Sequence, residues 1–166
     1  MNINWLVVLG TALIPMIVGF IWYHPKVVGT ALMEASGMTE EKMKGGNMPL
    51  IFGISFVMAF FLAVQMNFVV VHQNHFHSIL MNESGIMEPG SEMYLFVENF
   101  MEKYGSNFRT FKHGLLHGTM AGIFFALPIL ATNAMFERRS FKYILVNAGY
   151  WIITIGLIGG VISQWA

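Results

Sequence analysis

The sequence predicts an all-α integral membrane protein, a four-helix bundle with one amphipathic surface helix in its second loop. Three observations carry that prediction. The 166-residue chain is 55% hydrophobic and only 11% charged, against about 25% charged in an ordinary soluble domain. Its charges gather into three clusters, Lys26 to Lys44, Glu83 to Lys112 and Glu137 to Lys142, which separate four apolar runs. Each run reaches the roughly 20 residues that carry a helix across a bilayer. Three of the runs also repeat small residues at every fourth position, the spacing that lets two helix backbones approach.

The first span is expected over about 3–23. It lacks a basic leader and ends in Trp-Tyr-His-Pro rather than in small residues, so it reads as a retained anchor and not a signal peptide. Trp5 and Trp22-Tyr23 fit aromatic belts at its two ends, and Pro25 stops it. Lys26 to Asn47 then read as a polar connector, with a short helix capped near Thr39 and ended at Gly45-Gly46. The second span is expected over about 49–71. Gln65 and Asn67 interrupt it, and amides at that depth are expected to face other helices.

His72 to about Phe108 reads as the longest loop. Inside it Met93, Phe96, Val97, Phe100, Met101 and Tyr104 recur at helical spacing, predicting an amphipathic helix over about 92–104 that Gly105 ends. The third and fourth spans are expected over about 112–136 and 143–165. The stretch from Phe111 to Arg139 is the one around which the other helices are expected to gather. It carries Gly114, Gly118, Gly122 and Ala126 on one face, and the last span carries Gly156 and Gly160. These ladders predict close packing within one chain or between chains. Pro15 and Pro128 predict kinks. All 166 residues read as one transmembrane domain.

Basic residues set an expected orientation. Lys26, Lys42, Lys44, Arg138, Arg139 and Lys142 lie in the first and third loops, against Lys103, Arg109 and Lys112 in or beside the second. Six against three places the first and third loops in the cytoplasm, and both termini and the 72–111 loop in the periplasm.

Trp22-Tyr23-His24-Pro25, Phe136-Glu137-Arg138-Arg139 and Asn147-Ala148-Gly149-Tyr150 resemble a bacterial membrane-protein family, domain of unknown function 1761. The resemblance covers almost the whole chain, and the histidine-rich lead into the third helix is similar to Bacteroidota versions. It implies a four-helix inner-membrane protein and carries over no catalytic residue.

The histidines are the sharpest chemical signal. His72 closes the second span while His113 and His117 open the third, one turn apart, so all three share a membrane face. His75 and His77 stand close by in sequence. Imidazoles so grouped suit a transition metal, or haem through an axial histidine; the alternatives are interfacial histidines bonded to water, headgroups or carbonyls, and a pH sensor. The HxxxH pair lacks the glutamate of the zinc-protease HExxH motif, so no general base for hydrolysis is evident. No cysteine is present, which removes thiolate metal sites and disulfides, and no aspartate is present either. Carboxylate-coupled transport at mid-membrane is therefore disfavoured. Near-zero net charge leaves no nucleic-acid footprint.

Asn133, Glu137, Asn147 and Tyr150 read as structural groups at the inner end of the last hairpin. The favoured expectation is a non-enzymatic binding or accessory protein in contact with lipid, self-associating or docked on a larger complex. A histidine-based metal or haem protein, and a small-solute transporter or channel with a polar row along Gln65, Asn67, Thr119 and Asn133, remain as alternatives.

Overall fold

The computed structural model describes residues 3–39 and 45–166. The short helix expected after Thr39 falls on Glu40 to Lys44, outside the described residues. Four helical segments are long and apolar enough to cross a membrane: Trp5–Trp22, Met48–Val70, Phe111–Phe136 and Phe141–Trp165. Among the described residues all regular structure is helical.

Two of these segments are broken, both beside a proline. The first divides into α1 (Trp5–Thr11) and α2 (Ile14–Trp22), with Pro15 in the first turn of α2. Proline has no N–H to return to the carbonyl four residues back, so the ladder is interrupted there. Two tightened bonds, Ala12 to Leu9 and Leu13 to Gly10, span the gap. The third segment divides into α7 (Phe111–Ala121), a π-helical turn (Gly122–Ala126) and α8 (Leu127–Phe136), and Pro128 again follows the irregularity directly. One widened turn absorbs the bond that proline cannot make.

The connector after the first span is more ordered than its polarity suggests. Pro25–Gly29 form a π-helical turn that runs into α3 (Thr30–Ser36), ended by Gly37 at a left-handed φ of 66°. A Cβ at Gly29 would collide with the Tyr23 carbonyl, so only glycine permits the turn to fold back. α3 then lies beside the start of the last helix, where Lys142 pairs with Glu34 at 2.9 Å and Arg139 donates to the Ser36 carbonyl.

The second span, α4 (Met48–Val70), is capped by the Asn47 side chain. The loop that follows begins as a helix rather than as coil, which corrects the sequence reading. α5 (His72–Leu80) starts after a single extended residue, Val71. The break contains neither glycine nor proline and is held by amides: Asn74 Nδ2 donates to Asn67 Oδ1 at 2.8 Å and to the Asn67 carbonyl at 3.1 Å. Asn67 is thus buried and satisfied. Gln65 is exposed instead, about five residues from the helix end, roughly 7.5 Å by helical rise. It therefore does not face another helix of the chain, contrary to the expectation.

The amphipathic helix is α6 (Glu92–Tyr104), opened by Ser91, whose Oγ accepts the Tyr94 N–H. It docks on α5 through aromatic rings, with Phe76 and Phe100 stacked at 4.3 Å. Gln73 secures its end by donating to the Gly105 and Asn107 carbonyls.

The last span, α9 (Phe141–Trp165), is the true centre of the bundle. Half of its most apolar window is buried, against 17% for the third span and 11% for the second. The expected organising stretch, Phe111 to Arg139, is therefore the partner of the central helix rather than the centre. α9 carries small residues on several sides (Ala148, Gly149, Gly156, Gly159, Gly160 and Ser163), so helices approach it from more than one direction.

The glycine ladders meet within the chain. A Cβ on Gly114 would strike the Gly159 carbonyl, one on Gly118 the Ile155 carbonyl, and one on Gly122 would lie 2.6 Å from Ile152 Cα. On the facing helix, Gly156 lies against Thr119 and Gly160 against the Phe111 ring. Ala126 continues the row as a half-buried neighbour of the core, which includes Val8, Met66, Val70, Ile155, Ile158 and Ile162.

A candidate metal centre at one face of the bundle

The chain ends its second span and begins its third at the same face, and α5 and α7 supply the histidines there. The N–H of His113 is capped by Thr110 at the start of α7, and His117 follows one turn later. Because Gly114 and Gly118 press against α9, the histidine immediately before each of them is rotated towards the α4–α5 break. His72 stands at that break as the first residue of α5.

The three imidazoles converge. His72 Nε2 and His113 Nε2 are 2.8 Å apart, and one ring nitrogen from each of His72, His113 and His117 lies within 4.8 Å of the others. Ring centroids are separated by 5.0, 5.0 and 4.5 Å. All three residues are half-buried. Beyond the His72–His113 contact, no hydrogen bond from a described residue reaches these rings. Burial, then the neighbouring His117 and His75, push the His72 pKa below the ordinary imidazole value. A neutral imidazole is the form that binds metal.

His75 and His77 do not join the cluster. His75 is exposed, with its ring 6.4 Å from that of His72. His77 packs on Phe76 and lines a separate cavity of about 680 Å³ with Tyr94, Glu98 and Met101, where burial lowers its pKa. Of the five histidines singled out in sequence, three share one centre.

Phe108 is the neighbour that sequence reasoning missed. Its ring stands edge-on to His72 at 6.0 Å and 4.9 Å from His113. Its φ is +63°, a left-handed conformation that costs a bulky residue about 1–3 kcal/mol. The Ser163 hydroxyl and the Thr110 N–H both donate to its carbonyl and fix that conformation. A second cavity, about 440 Å³, opens beside the centre and is walled by His72, Phe76, Phe100, Met101, Tyr104 and Phe108 among others.

The family described as Protein of unknown function (DUF1761) matches residues 5–163. The chain belongs to that family. No curated protein and no solved structure matches it.

In this DUF1761 member the first and last of the segments that carry the resemblance meet at the opposite face. Trp22 Nε1 donates to the Val146 carbonyl at 3.0 Å, and the Tyr23 hydroxyl to Asn147 Oδ1 at 3.2 Å. Asn147 Nδ2 donates to Tyr143 O, and the Tyr150 hydroxyl to the Pro15 carbonyl at 2.8 Å. The Tyr23 and Tyr150 rings lie 5.0 Å apart, and Gly149 faces the Trp22 ring. Burial raises the Tyr23 pKa, so its hydroxyl stays a donor. Trp22 and Tyr23, at the end of the first span, are thus half-buried and packed against the last helix. Glu137 pairs with Arg139 at an exposed turn, while Asn133 is exposed and outside this network.

Proposed function

We propose that the protein is a multi-pass membrane protein that binds one divalent transition-metal ion at His72, His113 and His117. The convergence of three half-buried ring nitrogens within 4.8 Å of one another carries this reading. A tetrahedral zinc–imidazole site places its nitrogens about 3.3 Å apart, since each Zn–N bond is about 2.0–2.1 Å. The observed separations, from 2.8 Å upward, straddle that value, so small ring rotations complete the set. Three neutral imidazoles and no thiolate suit zinc, nickel, copper or cobalt. Nitrogens grouped on one side of a point favour a bare ion over haem, which offers a histidine only its two axial positions. Three protein ligands leave a coordination position open, the arrangement of sites that take a further ligand.

The site faces the side opposite Arg138, Arg139 and Lys142. Positive-inside asymmetry supports reading that side as the periplasmic surface of a bacterial inner membrane. The glycine ladders, consumed inside the chain, give no separate support to self-association. A transport path along Gln65, Asn67, Thr119 and Asn133 has little support either, because Gln65 and Asn133 are exposed on the exterior and Asn67 is bonded to Asn74.

Cobalt(II) titration of detergent-purified protein tests the reading. One equivalent should produce visible d–d absorption, and a His113→Ala, His117→Ala variant should not. Absence of the bands in the wild type, or their survival in the variant, would refute it.

A further inference from the structure

We infer that the open coordination position takes a planar aromatic ligand bearing an oxygen or nitrogen donor, admitted through the cavity beside the centre; this rests on the metal reading above. Three observations point the same way. The cavity, about 440 Å³, has the size of a small-molecule site and shares His72 with the metal centre. Its wall is built from rings. Phe76 and Phe100 already lie nearly parallel, 12° apart, and Tyr104 follows Phe100 at 5.0 Å, so an inserted flat molecule would extend an existing stack. Met101 adds a polarisable side chain that adapts to a ring edge.

Phe108 supplies the independent signal. It is held at a positive φ, a conformation that backbone preference alone does not favour for a large aromatic residue. In that conformation the ring packs beside His72 and His113 and also lines the cavity. A ligand whose donor atom reached the metal would pass its ring along Phe108.

The test uses cobalt-loaded protein and two probes, imidazole and 4-phenylimidazole, which share a donor atom and differ by one ring. The inference expects 4-phenylimidazole to shift the cobalt bands at a concentration at least tenfold lower than imidazole does. Phe108→Ala and Phe100→Ala should each reduce that preference while keeping the bands. Equal affinity for the two probes, or a preference unchanged in both variants, would overturn the inference and leave the metal reading standing. Failure of cobalt to bind at all would overturn both.

Discussion

The two ends of the bundle are each made by polar side chains from separate segments, and they are built on opposite principles. At the Trp22–Tyr150 end every polar group singled out has a protein partner: indole to carbonyl, phenol to amide, amide to carbonyl, phenol to carbonyl. At the histidine end three rings share a single hydrogen bond, and one nitrogen from each lies within 4.8 Å of the others. A closed network rigidifies and has no capacity left for a ligand. An open cluster of imidazoles keeps that capacity. On the proposed reading, the Trp22–Tyr150 end is structural and the histidine end is the one that takes a ligand.

Between the two ends runs the dry seam of α7 and α9, and disrupting it should have the largest effect. Gly118→Leu forces a side chain into the Ile155 backbone. Overpacking of that kind costs about 3 kcal/mol or more where backbone cannot move. Loss of a monodisperse peak in size-exclusion chromatography, or a matching drop in thermal stability, is the expected outcome; wild-type behaviour would mean that the two helices do not pack this closely.

Next in size is the open end. His117→Ala should weaken metal binding by at least about 100-fold, since even residues behind the ligands change affinity 10–100-fold, and should leave the thermal midpoint of metal-free protein nearly unchanged. Acidification should give a smaller and graded effect. Protons compete with metal for imidazole, and the His72 pKa is lowered in the folded protein. Loading should therefore be constant above about pH 6.5 and decline only as the pH falls below that value. A loss of metal on going from pH 7 to 8 would contradict the ligand set.

The smallest effect belongs to the closed end. Tyr23→Phe removes the hydroxyl that reaches Asn147. It should lower stability by about 1 kcal/mol in a denaturant or thermal titration, with metal affinity unchanged. A change in metal affinity would mean that the two ends are coupled.

Much of this architecture is legible in the sequence. The four spans and the amphipathic helix follow from hydrophobic length and period, and the glycine spacing predicts a close seam. Where the seam closes does not follow, because a ladder of small residues fits a partner in the same chain as well as one in another. Gly159 was readable, standing beside Gly160 and three residues after Gly156. α5 was not, because its polar composition hides a helix whose register is set by the Asn67–Asn74 bond. His72, His113 and His117 separate from His75 and His77 only once that short helix is placed. Phe108 leaves no sequence signal at all, since its left-handed backbone is imposed by Ser163 and Thr110 from outside its own residue type.

The most direct measurement is the metal content of purified protein after loading with zinc and dialysis. It would be compared between wild type, a His72→Ala, His113→Ala, His117→Ala variant, and a His75→Ala, His77→Ala variant. The account predicts one zinc per chain in the wild type and in the His75/His77 variant, and none in the triple variant. An empty wild type, or zinc lost with His75 and His77 but kept without the other three, would contradict it.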